Sequence, residues 1–270
     1  MPTTDPRPKP PPSAERPLRP SERNPDPRAA EWIALQRRLA ALVELPREDA
    51  GLPDRPRVLA LDVQYAPGPD GVTVGHVGAA LHRAGEGPRS WAAQVPVDAD
   101  YVPGSFCFRE GPPLVAVIEA LRARGEAIDL VVVDGHGIAH PRRFGVACYV
   151  GLAAAVPALG CAKGSLLRWE GEVDATRLGP ARGARQAVWL EGEPVGWALR
   201  TRDRVKPVFA SPGHRLSLEQ AAELALVLPA VHRVPEPLRE ADRVARASAA
   251  GRVRRGWRDL GELPPRPLEG

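Results

Sequence analysis

Three carboxylates in this chain sit where a lone charge is costly. Asp62 interrupts the apolar run Val58-Leu59-Ala60-Leu61, with Val63 after it. Asp134 ends the run Leu130-Val131-Val132-Val133, and Glu110 lies between Phe106-Cys107-Phe108-Arg109 and Gly111-Pro112-Pro113. A charge on or beside a core element needs a cation or a set of hydrogen bonds. Taken singly, each acid has an ordinary solution: a backbone amide for Asp62, a helix N-terminus for Glu110, an arginine for Asp134. Taken together, they describe one site. Three carboxylates within ~4–6 Å repel by roughly 1–4 kcal/mol per pair at effective dielectrics of about 80 to 20. A divalent cation relieves that repulsion without protonation. Hard oxygen ligands select Mg2+, with Mn2+ able to substitute. Such centres polarise phosphates and activate water for phosphoryl transfer.

The segment from Asp134 to Gly145 carries the densest chemistry: Asp134-Gly135-His136-Gly137-Ile138-Ala139-His140-Pro141-Arg142-Arg143-Phe144-Gly145. Its glycines let the backbone approach a flat, polar ligand, and its side chains can then contact it. His136 and His140 have the spacing of two zinc ligands on a helix, but Gly135, Gly137 and Pro141 argue against a helix there. Lys163 is a lone lysine in an arginine-dominated chain, reading as a compact phosphate contact or as a plain surface residue. The loop around it, Gly160-Cys161-Ala162-Lys163-Gly164-Ser165, lacks the glycine spacing of a phosphate loop. His214, in Ser211-Pro212-Gly213-His214-Arg215, reads as a loop histidine between a strand and a capped helix. It is a candidate general base or metal-site partner. Tyr101-Val102-Pro103-Gly104 is a turn whose aromatic and apolar pair suit a wedge for a base stack.

The elements that must position these residues follow from periodicity. Residues 1–27 are rich in proline and charge and read as a disordered tail. Trp32, Leu35, Leu39 and Leu42 then mark one face of a helix capped by Asp26 and Pro27. Strands are expected at 57–65, 72–82 and 91–97 as a meander. Gly111-Pro112-Pro113 is expected to open a helix through Arg122, followed by a strand at 129–134. Helical spacing covers 144–155, and short strands are expected at 157–161, 186–190, 195–201 and 207–210. Ser217 and Gln220 form a capping box for a helix through Leu228. A charged helix follows Pro235. The order predicts an α/β fold, a mixed sheet flanked by helices in one catalytic domain over 28–248, with a basic tail over 249–270.

A net charge of +4 permits a polyanionic partner without establishing one. Nearly all positive charge is arginine; the only lysines are Lys9, Lys163 and Lys206. Cys107, Cys148 and Cys161 have neither zinc-finger nor redox spacing. With no signal peptide and no membrane-length apolar run, a reduced cytoplasmic setting is expected.

These motifs, in series from about Glu31 to Arg246, resemble the endonuclease V family. The likeness is densest in Asp134–Gly145. It extends through Asp62-Val63, Tyr101–Gly104, Phe108-Arg109-Glu110-Gly111-Pro112, Gly160–Lys163 and Ser211–Arg215. The resemblance implies a ribonuclease H-like fold. It also implies metal-dependent cleavage of DNA at the second phosphodiester 3′ to hypoxanthine (deoxyinosine), leaving 3′-hydroxyl and 5′-phosphate ends. Asp62, Glu110 and Asp134 would bind the metal. His214 would assist the metal or the attacking water, and Lys163 would contact the scissile phosphate. Tyr101, Val102, Pro103 and Gly104 would form the wedge. Gly135, His136, Gly137 and His140 would line the base pocket. Apart from the resemblance, Arg142, Arg143 and the C-terminal arginines offer phosphate contacts, the tail reading also as a solvated charge run. Inosine-containing RNA is the alternative substrate, and a non-cutting binding module the alternative role. No membrane or obligate protein partner is implied. Asp100 stands where the family usually has proline, and Ala60-Leu61 and Gln64 replace its usual Gly-Val and Ser.

Overall fold

The computed structural model describes residues 29–46, 48, 51–68, 71–97, 104–167, 178–228, 231–252 and 256–268. Its frame is one nine-stranded sheet. The strands are β1 (Val58–Pro67), β2 (Thr73–His82), β3 (Arg89–Val97), β4 (Leu130–Val133), β5 (Ala158–Ala162), β6 (Arg185–Leu190), β7 (Glu193–Leu199), β8 (Val208–His214) and β9 (Arg258–Glu262). They lie in the order β6-β7-β8-β5-β4-β1-β2-β3-β9. The meander β1–β2–β3 is antiparallel, while β4 runs parallel to β1 and β5 parallel to β4. This is the expected ribonuclease H-like mixed sheet.

Helices cover both faces. They are α1 (Ala29–Ala40), α2 (Cys107–Ala123), α3 (Val146–Ala153), α4 (Leu218–Val227) and α5 (Glu236–Ala249). Alternation along the strands assigns the layers. Leu59, Leu61, Val131 and Val133 face the cluster that holds Leu114, Ile118 and Tyr149 of α2 and α3. Val58, Ala60, Leu130 and Val132 face the cluster of Leu224, Leu238 and Ala241 from α4 and α5.

Several boundaries differ from expectation. Helix α2 begins at Cys107, a turn before the prolines, so Pro112 and Pro113 lie inside it and Glu110 is in its first turn. The prolines cost two backbone bonds, which the burial of Leu114, Val117, Ile118 and Leu121 offsets. Strand β8 runs on through Ser211-Pro212-Gly213-His214 rather than ending at Ala210. The expected C-terminal tail is corrected as well: residues 258–262 form β9, parallel to β3. The backbone then crosses α2, where Arg266 N–H donates to Pro112 O, and reaches Tyr149, whose hydroxyl accepts from Leu268 N–H at 2.6 Å. The N-terminal tail and the proposed Asp26 and Pro27 cap lie outside the described residues. The Ser217 cap forms as read, its hydroxyl accepting from Gln220 N–H at 3.0 Å.

Gly78 of β2 sets how closely α5 approaches. A Cβ there would lie 2.0 Å from Ala241 O and 2.6 Å from Ala245 N, both helix backbone. Gly78→Ala must therefore push α5 off the sheet. We expect a loss of about 1–3 kcal/mol, read as a lower urea midpoint with an unchanged slope. An unchanged midpoint would show that the helix backbone is not pinned here.

Candidate active site

Register brings the first two acids together. Leu61 pairs with Val133 between parallel β1 and β4. Asp62 and Asp134 each come one residue later, so their side chains emerge side by side on the α5 face. Val63 N–H donates to Asp62 Oδ1 at 2.9 Å, and Asp134 N–H reaches back to Leu61 O at 3.4 Å. Glu110 enters from the other layer, on the first turn of α2, with its residue only 7% exposed.

A fourth acid, Asp242, completes the group. It follows Ala241, the residue that Gly78 admits to the sheet, and its carboxyl is close enough to Asp62 to raise that group. Burial, then Asp134, then Asp242 push the Asp62 carboxyl up to about 7. Burial, then Asp62 and Asp134, hold Glu110 well above the usual carboxylate range. Like charges have been concentrated where solvent screens them poorly.

Two cations face the cluster. Lys163, just past β5, bonds Asp134 Oδ2 through Nζ. Burial works against its charge, but Asp134 and the other acids prevail, leaving Lys163 above the usual lysine value. Arg246, one turn along α5, donates from Nε to Asp242 Oδ1 at 2.8 Å. Among the described residues no three acidic, histidine or cysteine side chains are grouped so as to hold a metal ion as they stand; the Lys163 ammonium occupies Asp134 Oδ2 instead. The donor set is oxygen-only and carries surplus negative charge. In chemistry, though not in its present spacing, the set suits a hard divalent cation rather than a soft one.

Two hollows meet at Asp134 and Lys163. One is a groove of about 940 Å³, lined also by Asp242, Arg239, Arg243, Arg246 and Arg252. The other is a pocket of about 420 Å³. Its walls include Gly104, Phe106 and Cys107 on one side, Gly135, His136, His140 and Gly145 on another, and Gly164–Leu166 on a third. His136 Nε2 lies 2.9 Å from Gly164 O. His140 Nδ1 accepts from Arg142 N–H at 3.2 Å. Burial lowers both imidazoles, His140 to about 4 with help from Arg142 and His136. Both rings are neutral at pH 7.

Other sequence expectations are redistributed. His214 is the last residue of β8, opposite Ala158 at the start of β5. It is 1% exposed, and its Nδ1 accepts from Glu44 N–H at 3.3 Å. That is five residues from Lys163, roughly 16 Å along the sheet. Its assignment to the metal or the water is corrected: it packs the far end of the core. Gly137 is a packing glycine, since a Cβ there would lie 2.0 Å from Pro212 O. Arg142 and Arg143 are partly exposed but already partnered. Arg142 is bonded to Gln36 and Gly104, and Arg143 to Glu193 at 2.8 Å. In the tail, the Arg258 guanidinium lies 5.5 Å from the Trp91 ring centre. Tyr101, Val102, Pro103 and Asp100 lie outside the described residues, as do Arg254 and Arg255. Gly104, with φ +78°, is described at the pocket rim.

A model of the family described as Endonuclease V matches residues 40–243, about three quarters of the chain. The chain belongs to the endonuclease V family. The Gloeobacter violaceus endonuclease V is 43% identical over 186 residues, covering 68% of this chain and 73% of that protein. The crystal structure of the Streptomyces avermitilis endonuclease V is 35% identical and superposes with a TM-score of 0.71, covering 83% of this chain and 93% of that one. The fold recurs in Ciona intestinalis endonuclease V, 24% identical with a TM-score of 0.71, covering 84% of this chain and 99% of that one. That structure is a complex with a 24-mer DNA containing an inosine followed by a ribo-adenosine. Family membership makes this protein an endonuclease acting on DNA, a hydrolase. Among the described residues no helix is long and apolar enough to cross a membrane, and Cys107, Cys148 and Cys161 are free and buried.

Proposed function

We propose that the chain is a magnesium-dependent repair nuclease. It cuts DNA at the second phosphodiester bond 3′ to a deaminated adenine, leaving 3′-hydroxyl and 5′-phosphate ends. The observation that carries this reading is the joining of the four-carboxylate cluster to a separate open pocket through Asp134 and Lys163. A nuclease that cuts any phosphodiester needs only the cluster. One that cuts beside a particular base also needs a place for that base.

Asp62, Glu110, Asp134 and Asp242 would hold the cation, which would supply charge neutralisation and Lewis acidity at the phosphate. The chain's own groups do the rest. Lys163 exchanges its bond with Asp134 for one with a phosphate oxygen, fixing the scissile group beside the acids. Arg239, Arg243 and Arg252 offer the backbone a sequence-independent track. These arginines, on α5 and just beyond its end, take the phosphate-binding role that the sequence alone suggested for Arg142 and Arg143.

The pocket takes the extruded base. Deaminated adenine pairs poorly, so lifting it from the stack costs less than lifting a normal base. Inside, donors and acceptors are fixed because His136 and His140 are neutral and already bonded. Hypoxanthine presents an oxo acceptor where adenine presents an amino donor. Taking up adenine would leave a buried group unpaired, at about 1–3 kcal/mol.

The test is a labelled duplex holding a single deoxyinosine, incubated with Mg2+ and separately with a chelator. The expected result is metal-dependent nicking one nucleotide beyond the lesion, and none in the matched adenine duplex. Cutting without regard to the lesion would overturn the base assignment. Binding without any cut would identify a non-cutting module. A matched inosine-containing RNA, run in parallel, separates the ribonuclease alternative.

A further inference from the structure

Helix α1 lies largely ahead of the segment that matches the family, yet one of its side chains reaches the pocket wall. Gln36 is fully buried. Its Oε1 accepts from Arg142 Nε at 2.5 Å, and its Nε2 donates to Phe144 O at 2.5 Å. The same Nε2 lies 3.6 Å from Cys107 Sγ. Arg142 continues the chain of bonds by donating to Gly104 O. Gly104 and Cys107 line the pocket from one stretch of chain, and His140, Phe144 and Gly145 from another. Gln36 and Arg142 thus join two walls that are about forty residues apart in sequence.

The Arg142 guanidinium lies against the Gly104 turn: a Cβ on Gly104 would come 2.7 Å from one of its nitrogens. Trp32, one turn earlier in α1, lies with its ring centre 5.7 Å from that of Phe108 on the first turn of α2. Helix α1 therefore grips the α2 end of the first wall directly and the second wall through Gln36. The sheet does not supply this link, because the wall residues lie in loops and helix ends beyond its strands.

We propose that Gln36 is a positioning residue that sets the separation of the two pocket walls, and so how well the nuclease holds and discriminates the extruded base. It touches neither the base nor the phosphate and acts through Arg142 and Phe144. This inference rests on the base-pocket reading above. It predicts a particular kinetic signature. Loss of the strut loosens capture of the base but leaves the carboxylate cluster intact, so KM should rise more than kcat falls. A merely structural role would instead lower the active fraction, reducing apparent kcat with KM unchanged.

The experiment compares Gln36→Met, which matches shape but loses both bonds, with Gln36→Glu, which keeps an acceptor for Arg142 and loses the donor to Phe144. Steady-state nicking is measured on the deoxyinosine duplex, with binding to the same duplex in chelator as a second readout. Gln36→Met should raise KM and Kd about tenfold with kcat within about threefold. The preference for hypoxanthine over adenine should narrow by a similar factor, and Gln36→Glu should fall between Met and wild type. Should Gln36→Met fail to fold, Arg142→Lys provides the same comparison, since a lysine cannot bridge Gln36 and Gly104 at once. Unchanged KM and Kd, or a fall in kcat alone, would overturn the inference. Wild-type protein that shows no preference for the lesion would instead overturn the base-pocket reading beneath it.

Discussion

Asp242→Ala should remove strand cutting by about three orders of magnitude or more, while His214→Ala should keep wild-type turnover within a few fold below its melting temperature. The contrast follows from position. Asp242 acts on Asp62 inside the carboxylate cluster, and the groove it lines also contains Lys163. His214 caps Glu44 N–H at the opposite end of β5 and β8. The measurement is single-turnover nicking of the deoxyinosine duplex, with filter binding in chelator to confirm that both variants still hold DNA. His214→Ala should nonetheless melt earlier, because it opens a cavity beside Gly151 and strands the Glu44 amide. Full activity in Asp242→Ala would remove Asp242 from the centre, and loss of activity in a well-folded His214→Ala would return His214 to it.

The second large effect concerns the charge of the cluster itself. Asp62 has a folded value of about 7, raised mainly by burial, against 3.8 ordinarily. Between these values the folded state holds a proton that the unfolded state has released. This contribution to stability is fully present below about 3.8 and is lost as pH rises through about 7. Glu110 is raised in the same direction. Buried neutral histidines, His136 and His140 among them, oppose this trend below pH 6.5, so the comparison must cancel them. Asp62→Asn does so. In chelator, the variant should gain on wild type by on the order of 2–3 kcal/mol between pH 5 and pH 8, measured by urea melts at each pH. Added Mg2+ at pH 8 should stabilise the wild type and leave the variant far less affected. A stability difference that stays flat with pH would mean that Asp62 ionises freely and the four acids do not repel one another.

Some of the centre could be read from the chain alone, and the reasons are specific. Asp62 and Asp134 break apolar strands, where an unpaired carboxylate is conspicuous. Lys163 stands out in an arginine-rich chain. Asp242 was hidden because Glu240-Ala-Asp-Arg-Val-Ala-Arg reads as an ordinary solvated helix face. Its importance comes from Gly78, 164 residues earlier, which lets the helix backbone down onto the sheet. His214 was misplaced because Pro212-Gly213 looks like the end of a strand, yet β8 runs through both. Gln36 was legible in principle: it falls on the Trp32, Leu35, Leu39 stripe, where a polar side chain must find buried partners. Leu42, assigned to that stripe, lies beyond α1 and is 59% exposed. The five residues of β9 carry three charges and a glycine and gave no alternation to detect.

That last strand bears on how the protein can be shortened. A version trimmed to the matched region would stop at residue 243, one residue past Asp242 and in the middle of α5. It would also strip β9 from β3, leaving a nine-residue strand with one row of backbone amides and carbonyls unpaired. Bare rims of this kind recruit further copies and seed aggregates. A minimal catalytic fragment must therefore keep the C-terminal residues through Leu268, and tags or fusions belong at the opposite terminus.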